Sequence, residues 1–366
     1  MTYRALFTTN PLDPAALDSL AATGAEFQIE GVDLDPSELL AALRGKEAYI
    51  LGGVENVTEQ TLAAAPDLKV VAFLGVGYRA FVDADAAARH GIAVTNAPGA
   101  NAQAVAEFTV ALMLDSVRRV TSLSNETKAG GWPVFRAANL EGRILGIVGM
   151  GTIGATVARI AIQGFGMSVV YCSRHQKPDV EQALGVRRLA LPALLEEADV
   201  VSLHAAFGPD TAGILDAAAL ARLRPDAVVV NTSEAELIEP HALHDALAEG
   251  RIGCVAMDGY YIEPVPAPAD DPYGLLCLPD DRFLLTPHTA FFTRESFTRT
   301  LATNLRSIEN VLSTGTDERV VNPAFAASAS WLRSGSGVAP RADASLVSHV
   351  PTVSDRLQSN VAPAVP

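Results

Sequence analysis

The sequence predicts an α/β protein of two domains, in which helices cover mainly parallel sheets. Short β-branched or apolar runs alternate with longer Ala- and Leu-rich stretches, and this alternation is typical of parallel sheets. The chain has 366 residues, of which 49% are hydrophobic. That length suffices for two packed domains of ordinary size, and that composition excludes a disordered protein.

Three runs in the first hundred residues predict the strands of a first unit. They are AYILGG (48–53), LKVVAFLG (68–75) and IAVTNA (92–97). From Asn101 to about Lys128 the apolar residues recur at three- and four-residue spacing, which predicts one long helix that could join two domains.

A second set of runs predicts a complete nucleotide-binding sheet with intervening helices. The runs are RILGIVGMG, MSVVYCS, ADVVSLHA, DAVVVNTS, IGCVAMDG and RFLLTPH. A helix of roughly 290–312 comes next. We expect this helix to pack on the first unit, which would then be discontinuous in sequence.

The last segment, 326–366, is rich in Ala, Ser, Pro and Gly and shows no periodicity. We expect it to be disordered or loosely draped. Deletion of the residues beyond about Ser330 is therefore expected to leave folding intact.

Charge and cysteine usage exclude several classes of partner and compartment. Lys plus Arg is 27 and Asp plus Glu is 42, so a net charge near −15 would repel nucleic acid. The cysteines Cys172, Cys254 and Cys277 lie far apart, which suggests no disulfide framework and no zinc knuckle. No run resembles a signal peptide or approaches the roughly 20 apolar residues of a membrane span. We expect a cytoplasmic protein with no membrane anchor.

A glycine-rich motif indicates a dinucleotide cofactor. RILGIVGMGTIGATVARIA places Gly149, Gly151 and Gly154 in GxGxxG spacing, directly after an apolar strand and before a helix. Gly149 permits a tight turn, Gly151 lets the backbone approach a pyrophosphate, and Gly154 lets helix and strand pack closely. The helix N-terminus then supplies N–H groups to the anion. The alternative is a merely tight turn between strand and helix.

The end of the next strand favours NADP(H). An acid that would hold the ribose hydroxyls is expected there, but VVYCSRH carries Ser173 and Arg174. A hydroxyl and a guanidinium suit a 2′-phosphate, which a carboxylate would repel. An exposed Arg174 stacked on adenine would tolerate either cofactor, so NAD(H) stays possible.

With these motifs in place, the chain resembles the D-isomer-specific 2-hydroxyacid dehydrogenases over nearly all of residues 45–323. The matching stretches are LKVVAFLGVGY, HGIAVTNAPGANAQAVAEFTVALML, GGW before LEGRILGIVGMGTIG, FGMSVVYCSR, ADVVSLHAAFGPDTAGIL, LRPDAVVVNTS, AMDGYYIEP and LLTPHTAF. The resemblance implies a homodimer and a cleft between two domains. One is a discontinuous flavodoxin-like catalytic domain, 1–98 and 290–325, and the other an inserted Rossmann domain, 99–289.

The resemblance also implies which residues transfer protons. The family histidine matches His288 in TPHTAF, and the family glutamate matches Glu263 in MDGYYIEP. A carboxylate beside an imidazole stabilises the imidazolium, so His288 could donate a proton to a carbonyl oxygen as hydride arrives. By itself Glu263 would be interpreted as a solvated loop carboxylate.

One position departs from the family pattern. The family arginine, which grips the substrate carboxylate, should fall in VVVNTSRG, but here the window is VVVNTSEA. Glu234 replaces the arginine and Ala235 the glycine. An ionised Glu234 would oppose a 2-oxo-carboxylate, so the usual substrate class is in doubt. Alternatively, Glu234 is neutralised by a neighbouring arginine or protonated by burial, and makes no substrate contact.

Further candidate residues complete the expected site. For the cofactor they are Thr152, Ile153, His204, Thr232 and Asp258, and for the substrate Gly53, Val54, Gly77, Tyr78 and Arg79. Arg79, Arg136 or Arg294 could restore a carboxylate anchor, although each is more often a solvated surface residue.

The remaining candidates have simpler interpretations. His241 and His244 have a spacing compatible with a metal but lack a third ligand nearby, so an exposed pair is expected. Ser233 has no GxSxG elbow around it, which argues against a hydrolase. The aromatic residues of FFTRESF are expected in the core or between domains.

Three functions are compatible with the sequence. The leading interpretation is an NADP(H)-dependent reductase of a small molecule, in which His288 and Glu263 transfer the proton and the substrate is a ketone or imine that lacks the usual carboxylate or carries a positive charge. The second is ordinary 2-oxo-acid reduction with another arginine as anchor. The third is a cofactor-binding regulator without turnover, which would need neither Glu263 nor His288.

Overall fold

The computed structural model describes residues 2–333, which divide into two compact units. Within that range, unit 1 comprises residues 2–101 and 293–333, and unit 2 comprises Ala102–Phe292. The junctions therefore lie a few residues after the boundaries expected from the sequence. In the described residues, no helix is long and apolar enough to cross a membrane.

The strands and helices follow one another in α/β alternation along most of the chain. The strands are β1 (Arg4–Thr8), β2 (Glu26–Glu30), β3 (Ala48–Leu51), β4 (Val70–Phe73), β5 (Ala93–Thr95), β6 (Ile144–Val148), β7 (Ser168–Cys172), β8 (Arg187–Arg188), β9 (Val200–Leu203), β10 (Val228–Asn231), β11 (Cys254–Asp258) and β12 (Phe283–Thr286). The helices are α1 (Pro14–Ala22), α2 (Pro36–Ala42), α3 (Glu59–Ala63), α4 (Ala84–His90), α5 (Ala102–Arg118), α6 (Val120–Lys128), α7 (Thr152–Phe165), α8 (Pro178–Leu184), α9 (Leu191–Glu197), α10 (Ala217–Leu220), α11 (Pro240–Ala248), α12 (Arg294–Thr314) and α13 (Ala329–Arg333).

Unit 1 contains a parallel sheet with the strand order β2-β1-β3-β4-β5. This is the flavodoxin-like order. The three runs predicted in this unit form β3, β4 and β5, whereas β1 and β2 were not predicted. The sequence of β2, EFQIE, begins and ends on an acid and forms a half-exposed sheet edge, so it lacks the apolar run that marks a buried strand.

The core of unit 1 joins distant parts of the chain. Helix α12 presents Leu301, Leu305, Ile308 and Val311 at three- and four-residue spacing, and all four are buried with strand residues such as Ile50. Helix α12 therefore covers one face of the sheet that the first hundred residues form.

The segment after α12 is better ordered than the sequence suggested. Trp331 is only 3% exposed, and its ring packs edge-on against Phe325 with centroids 4.9 Å apart. Ser330 donates a hydrogen bond to the carbonyl of His90. The expectation of a loose tail is therefore wrong for residues 326–333, and the rest of that segment, 334–366, lies outside the described residues.

Unit 2 contains a parallel sheet with the strand order β12-β11-β10-β9-β6-β7-β8. The predicted runs form six of these strands. The two-residue edge strand β8 was not predicted, because its Arg187 and Arg188 are polar and exposed. The strand order reverses between β6 and β9, and in open α/β sheets ligands bind outside the carboxyl ends of the strands at such a point.

The long helix predicted from Asn101 to Lys128 is broken in two at Arg119. This residue has a positive backbone φ of 54°, which residues other than glycine rarely adopt. The Asp115 carboxylate accepts a hydrogen bond from the Thr121 N–H at 2.8 Å, and the Arg119 guanidinium pairs with Asp281 at 2.6 Å. These contacts fix a break that apolar periodicity does not reveal.

The burial of Trp331 leads to a stability prediction. Trp331→Ala is expected to lower the free energy of unfolding of unit 1 by about 3–5 kcal/mol, because a large buried ring is removed from a packed core. The matched control is Leu332→Ala, which changes a side chain that is 63% exposed and should cost less than about 0.5 kcal/mol. Urea unfolding of the full chain measures both, and equal midpoints for the two variants would contradict the prediction.

Candidate active site

The candidate residues of unit 2 gather at one edge of its sheet. Gly149 follows β6, Ser173 follows β7, His204 follows β9, Thr232 follows β10, and Asp258 ends β11. Because the strands are parallel, their carboxyl ends meet at the same edge, which is where α/β proteins bind ligands. The candidate site therefore results from the sheet topology.

The glycine-rich turn has the geometry of a phosphate cradle. Gly149 has φ of 102°, and a Cβ there would collide with the backbone of His204. A Cβ at Gly154 would collide with the carbonyl oxygen of Gly149, whereas a Cβ at Gly151 would meet nothing within 4 Å. Two glycines are thus required by the turn itself, and the third leaves open space beside the backbone.

The start of α7 offers donors to an anion. Gly151 is the N-cap of this 14-residue helix and provides no side-chain cap. The first-turn N–H groups of Thr152, Ile153 and Gly154 have no acceptor within the helix, because a helix leaves its first N–H groups unpaired. These residues therefore fit the pyrophosphate of a dinucleotide, which would add negative charge at the positive end of the helix dipole.

The end of β7 is positively charged and carries no acid. The Ser173 hydroxyl donates to the carbonyl of His175 at 2.5 Å, and Arg174 is exposed. The Arg188 guanidinium, from β8, donates to the carbonyls of Ser173 at 2.8 Å and Arg174 at 3.0 Å. Sequence reasoning missed Arg188, because its contact with this turn depends on the pairing of an edge strand.

His204 and Thr232 make contacts inside unit 2. The buried imidazole of His204 is 2.8 Å from the Ser202 hydroxyl, and burial lowers the pKa of His204 to about 3, so the ring is neutral. Its Nδ1 is buried and has no hydrogen-bond partner among residues 2–333. The Thr232 hydroxyl is 2.8 Å from that of Thr109 on α5. Their predicted cofactor contacts stay predictions.

His288 and Glu263 form the pair expected from the sequence. The His288 Nδ1 is 3.2 Å from each carboxylate oxygen of Glu263. The Tyr260 N–H donates to Glu263 Oε1 at 2.9 Å. The hydrogen bond with His288 is the main cause that lowers the pKa of Glu263, and the same bond is the main cause that raises the pKa of His288. The charges of Asp258 and Glu234 raise the pKa of His288 further.

Gly259 makes room for this pair. It has φ of 106°, and a Cβ there would lie 2.9 Å from Glu263 Oε1 and 3.2 Å from His288 Nδ1. Any side chain would therefore strain the backbone and press on the hydrogen bond. The glycine after β11 is a residue that sequence reasoning did not select.

Asp258 holds the loop that carries His288. Its buried carboxylate accepts hydrogen bonds from the Thr286 hydroxyl at 2.7 Å, the Thr289 N–H at 2.9 Å and the Ala290 N–H at 2.7 Å. His288 between them has a positive φ of 51°, an unfavourable backbone for histidine that needs such support. The sequence predicted cofactor binding for Asp258, whereas the structure shows these loop contacts.

The aromatic residues of FFTRESF do not all lie in a core. Phe291 is 39% exposed and meets the His288 ring edge-on with centroids 6.2 Å apart, and Phe292 is 53% exposed. The expectation of core packing is wrong for these two residues. Phe297 packs against the core of unit 1.

Glu234 directly precedes a short 3₁₀ turn, Ala235–Leu237, that follows β10. Glu234 is exposed to solvent, but desolvation by the protein around its carboxyl group is the main cause that raises its pKa. The charges of Glu236 and Glu263 raise this pKa further, whereas His288 acts in the opposite direction. Within residues 102–292, no arginine forms an ion pair with Glu234. In unit 2, therefore, no arginine neutralises this acid, and its charge interacts with the His288–Glu263 pair.

The expected substrate residues of unit 1 also follow strand ends. Gly53 and Val54 come after β3, and Gly77, Tyr78 and Arg79 after β4. Val54 is 62% exposed, and the Arg79 guanidinium lies 5.6 Å from the centroid of the Tyr78 ring.

A buried acid that the sequence did not reveal lies beneath the first of these loops. Glu55 is 4% exposed, and its carboxylate accepts a hydrogen bond from the Thr8 hydroxyl at 3.1 Å. Burial raises the pKa of Glu55. A Cβ at Gly53 would collide with this carboxylate, which explains the glycine.

The other candidates have ordinary contacts. The His241 ring packs against Tyr273 with centroids 5.5 Å apart, and His244 Nδ1 lies 3.2 Å from Asp245. The Ser233 hydroxyl donates to the carbonyl of Leu203. Within residues 2–333, no cluster of three or more His, Cys, Asp or Glu residues has an arrangement that could hold a metal ion.

Known proteins resemble the chain in sequence. Residues 110–290 match the family model described as D-isomer specific 2-hydroxyacid dehydrogenase, NAD binding domain. A glyoxylate reductase of Korarchaeum cryptofilum is 38% identical over 272 residues, 72% of this chain and 80% of the relative. A D-3-phosphoglycerate dehydrogenase of Mycobacterium tuberculosis is 34% identical over 287 residues, 78% of this chain and 53% of the relative. The chain thus spans about half the length of that relative.

Solved structures share the fold. The TT0316 protein of Thermus thermophilus has a TM-score of 0.75 and 32% identity, and the match covers 87% of this chain and 99% of the other. The apo D-lactate dehydrogenase of Escherichia coli has a TM-score of 0.73 and 27% identity, with 84% and 96% covered. The predicted fold class is confirmed.

The opposite pKa shifts of the pair define a pH window. Raising the pKa of His288 contributes stability below the unfolded histidine pKa of about 6.5, and that contribution is lost as pH rises through the folded value. Lowering the pKa of Glu263 contributes stability above the unfolded glutamate pKa of about 4.3, and that contribution is lost as pH falls through the folded value. Both contributions are present together between those limits.

Removing the partner should shift the histidine titration. In Glu263→Gln the pKa of His288 is expected to fall, because the hydrogen bond to a carboxylate that raises it is lost. Glu234→Gln should lower it less, because Glu234 acts only through its charge. NMR titration of the His288 ring proton measures both shifts, with His241 as an internal reference. An unchanged His288 titration in Glu263→Gln would show that the pair does not form in solution.

Proposed function

Because this chain belongs to the D-isomer specific 2-hydroxyacid dehydrogenases, a family of NAD-dependent oxidoreductases, we propose that it reduces a ketone or imine that is not an ordinary 2-oxo acid. The substrate lacks a carboxylate beside the reacting carbon, or it carries a positive charge. The observation that carries this proposal is the carboxyl group of Glu234, whose charge interacts with His288 and Glu263 and which has no arginine partner in unit 2.

The reduced nicotinamide supplies the hydride when it is bound, and this chain supplies the proton. The Glu263 carboxylate holds His288 Nδ1, so the ring presents its other nitrogen, Nε2, to a substrate. The raised pKa of His288 favours the imidazolium, which donates a proton from Nε2 to the oxygen or nitrogen that gains electron density. In the oxidative direction the neutral ring accepts that proton.

Glu234 discriminates between substrates through the sign of its charge. Two unit negative charges 4 Å apart repel by about 1 kcal/mol in bulk water and by about 4 kcal/mol at an effective dielectric constant of 20, so an ionised Glu234 would disfavour a substrate carboxylate. The raised pKa of Glu234 means that its ionised form is already disfavoured by its surroundings. A positively charged substrate would relieve that penalty, whereas a carboxylate would increase it.

The proposed cofactor is NADP(H). The end of β7 carries Ser173 and Arg174 in place of an acid, and Arg188 adds a second guanidinium there. This positive charge suits a 2′-phosphate. NAD(H) is the alternative if Arg174 stacks on adenine.

A second candidate is ordinary 2-oxo-acid reduction with an arginine other than the family one as carboxylate anchor. The identity to a relative named glyoxylate reductase favours it. The arginines that the sequence offers for this role are Arg79, Arg136 and Arg294. A regulator without turnover is the weakest candidate, because the paired geometry of Glu263 and His288 has no purpose in a protein that only binds a cofactor.

His288 and Glu263 are predicted to act as one unit. His288→Ala and Glu263→Ala should each lower kcat by roughly 10²-fold or more, and the double variant should lose little beyond the worse single variant. Steady-state NADPH oxidation on an accepted ketone or imine measures the effect, with His241→Ala as the control for removal of an exposed histidine. Near-normal turnover in both single variants would refute the assignment.

Reversing the charge at Glu234 tests the proposed substrate class. Glu234→Arg should raise kcat/KM on pyruvate or glyoxylate and lower it on the natural substrate class, because the attraction for a carboxylate replaces repulsion. Glu249→Arg, which makes the same charge change at an exposed acid that is not among the charges acting on Glu234, is the control and should change neither by more than about threefold.

An assay of the wild-type enzyme can contradict the proposed substrate class. A panel of 2-oxo acids, simple ketones, amino ketones and cyclic imines is assayed with NADPH. A kcat/KM above ~10⁴ M⁻¹s⁻¹ on a 2-oxo acid, the low end of typical enzymes, would exclude the proposed substrate class and establish the second candidate.

A further inference from the structure

Arg188 lies where two strand ends meet in unit 2. Strand β8 pairs with β7 in parallel register, with Tyr171 opposite Arg188. From there the Arg188 Nη2 reaches beyond the end of β7 and donates to the carbonyls of Ser173 and Arg174. The guanidinium is therefore anchored at the turn that the GxGxxG fold uses for the adenosine ribose.

The two arginines of β8 differ in their partners. Arg187 forms an ion pair with Glu197 at 2.9 Å, so its charge is compensated. Arg188 forms no ion pair with any acid in the part of the chain that the structure describes. Its two hydrogen bonds go to neutral carbonyls and use a single nitrogen, whereas a guanidinium offers five N–H donors. Arg188 thus retains its charge and further donors.

We propose that Arg188 is a second 2′-phosphate ligand of the NADP(H) site, acting together with Arg174. This inference rests on the cofactor preference proposed above and names a residue that the glycine-rich motif and the residues after β7 do not include. A planar guanidinium can bind a phosphate through two parallel hydrogen bonds, and the carbonyls that hold Arg188 reduce the entropy it would lose on binding. The same two hydrogen bonds position the backbone of Ser173 and Arg174. Arg188 therefore binds the 2′-phosphate and also positions the turn beside it.

The test measures binding of two cofactor fragments that differ only in the 2′-phosphate. Adenosine 2′,5′-bisphosphate and 5′-AMP are titrated calorimetrically into the full-length wild-type chain, Arg188→Ala, Arg188→Lys and Arg187→Ala. Arg188→Ala should weaken the bisphosphate by about tenfold or more and 5′-AMP by less than about twofold. Arg187→Ala, the matched control with a compensated charge, should change neither by more than about twofold.

Arg188→Lys separates charge from backbone support. Lysine keeps the charge but loses the planar guanidinium, so Arg188→Lys should bind the bisphosphate more weakly than the wild-type chain and more tightly than Arg188→Ala. A lysine variant as weak as the alanine variant would overturn the proposal. So would equal weakening of both fragments in Arg188→Ala, which would show that Arg188 only supports the turn.

The wild-type titration distinguishes a failure of the NADP(H) preference from a failure of the role of Arg188. If the wild-type chain binds the bisphosphate no better than 5′-AMP, the NADP(H) preference itself is wrong and this inference fails with it. If the wild-type chain prefers the bisphosphate and Arg188→Ala matches Arg187→Ala, only the role of Arg188 is overturned, and Arg174→Ala should then abolish the preference.

Discussion

The candidate site depends on the buried carboxylate of Asp258. Burying an ion is unfavourable unless hydrogen bonds replace water, and here three donors from the end of β12 and the loop after it do so. Those bonds tie the ends of β11 and β12 together and hold His288 in a backbone conformation that histidine rarely adopts. The position of the His288 ring therefore follows from the hydrogen bonds that satisfy one buried charge.

The pKa values of two glutamates whose charges act on that ring are shifted in opposite directions. The pKa of Glu263 is lowered, chiefly by its hydrogen bond with His288, and the pKa of Glu234 is raised, chiefly by desolvation of its carboxyl group. Titratable groups whose environments push their pKa values apart are typical of active sites in which the groups have different roles. We infer that Glu263 supports the imidazolium, whereas Glu234 is available to interact with a substrate.

Much of the fold was predictable because buried parallel strands are continuous apolar runs bounded by turns. The runs that became β3 to β5 of unit 1 are of this kind, as is the strand before the GxGxxG turn. Two glycines of that turn, Gly149 and Gly154, are required by contacts with the residue after β9 or within the turn. Strand β1 is also a buried apolar run and was missed, but the other misses have the opposite character. Strand β2 is a half-exposed edge, and the break at Arg119 depends on distant Asp281. The homodimer and the cytoplasmic location stay predictions.

The sequence by itself determined the fold class and the glycine-rich turn, because each rests on local spacing or a contiguous motif, and the family resemblance singled out His288, Glu263 and Glu234. Only the tertiary structure decided that Arg188 reaches the end of β7 and that Trp331 is buried. Both are contacts between segments that are separate in the chain, set by strand order and core packing. Local sequence patterns do not reveal such contacts, because the two segments come together only once the sheets have formed.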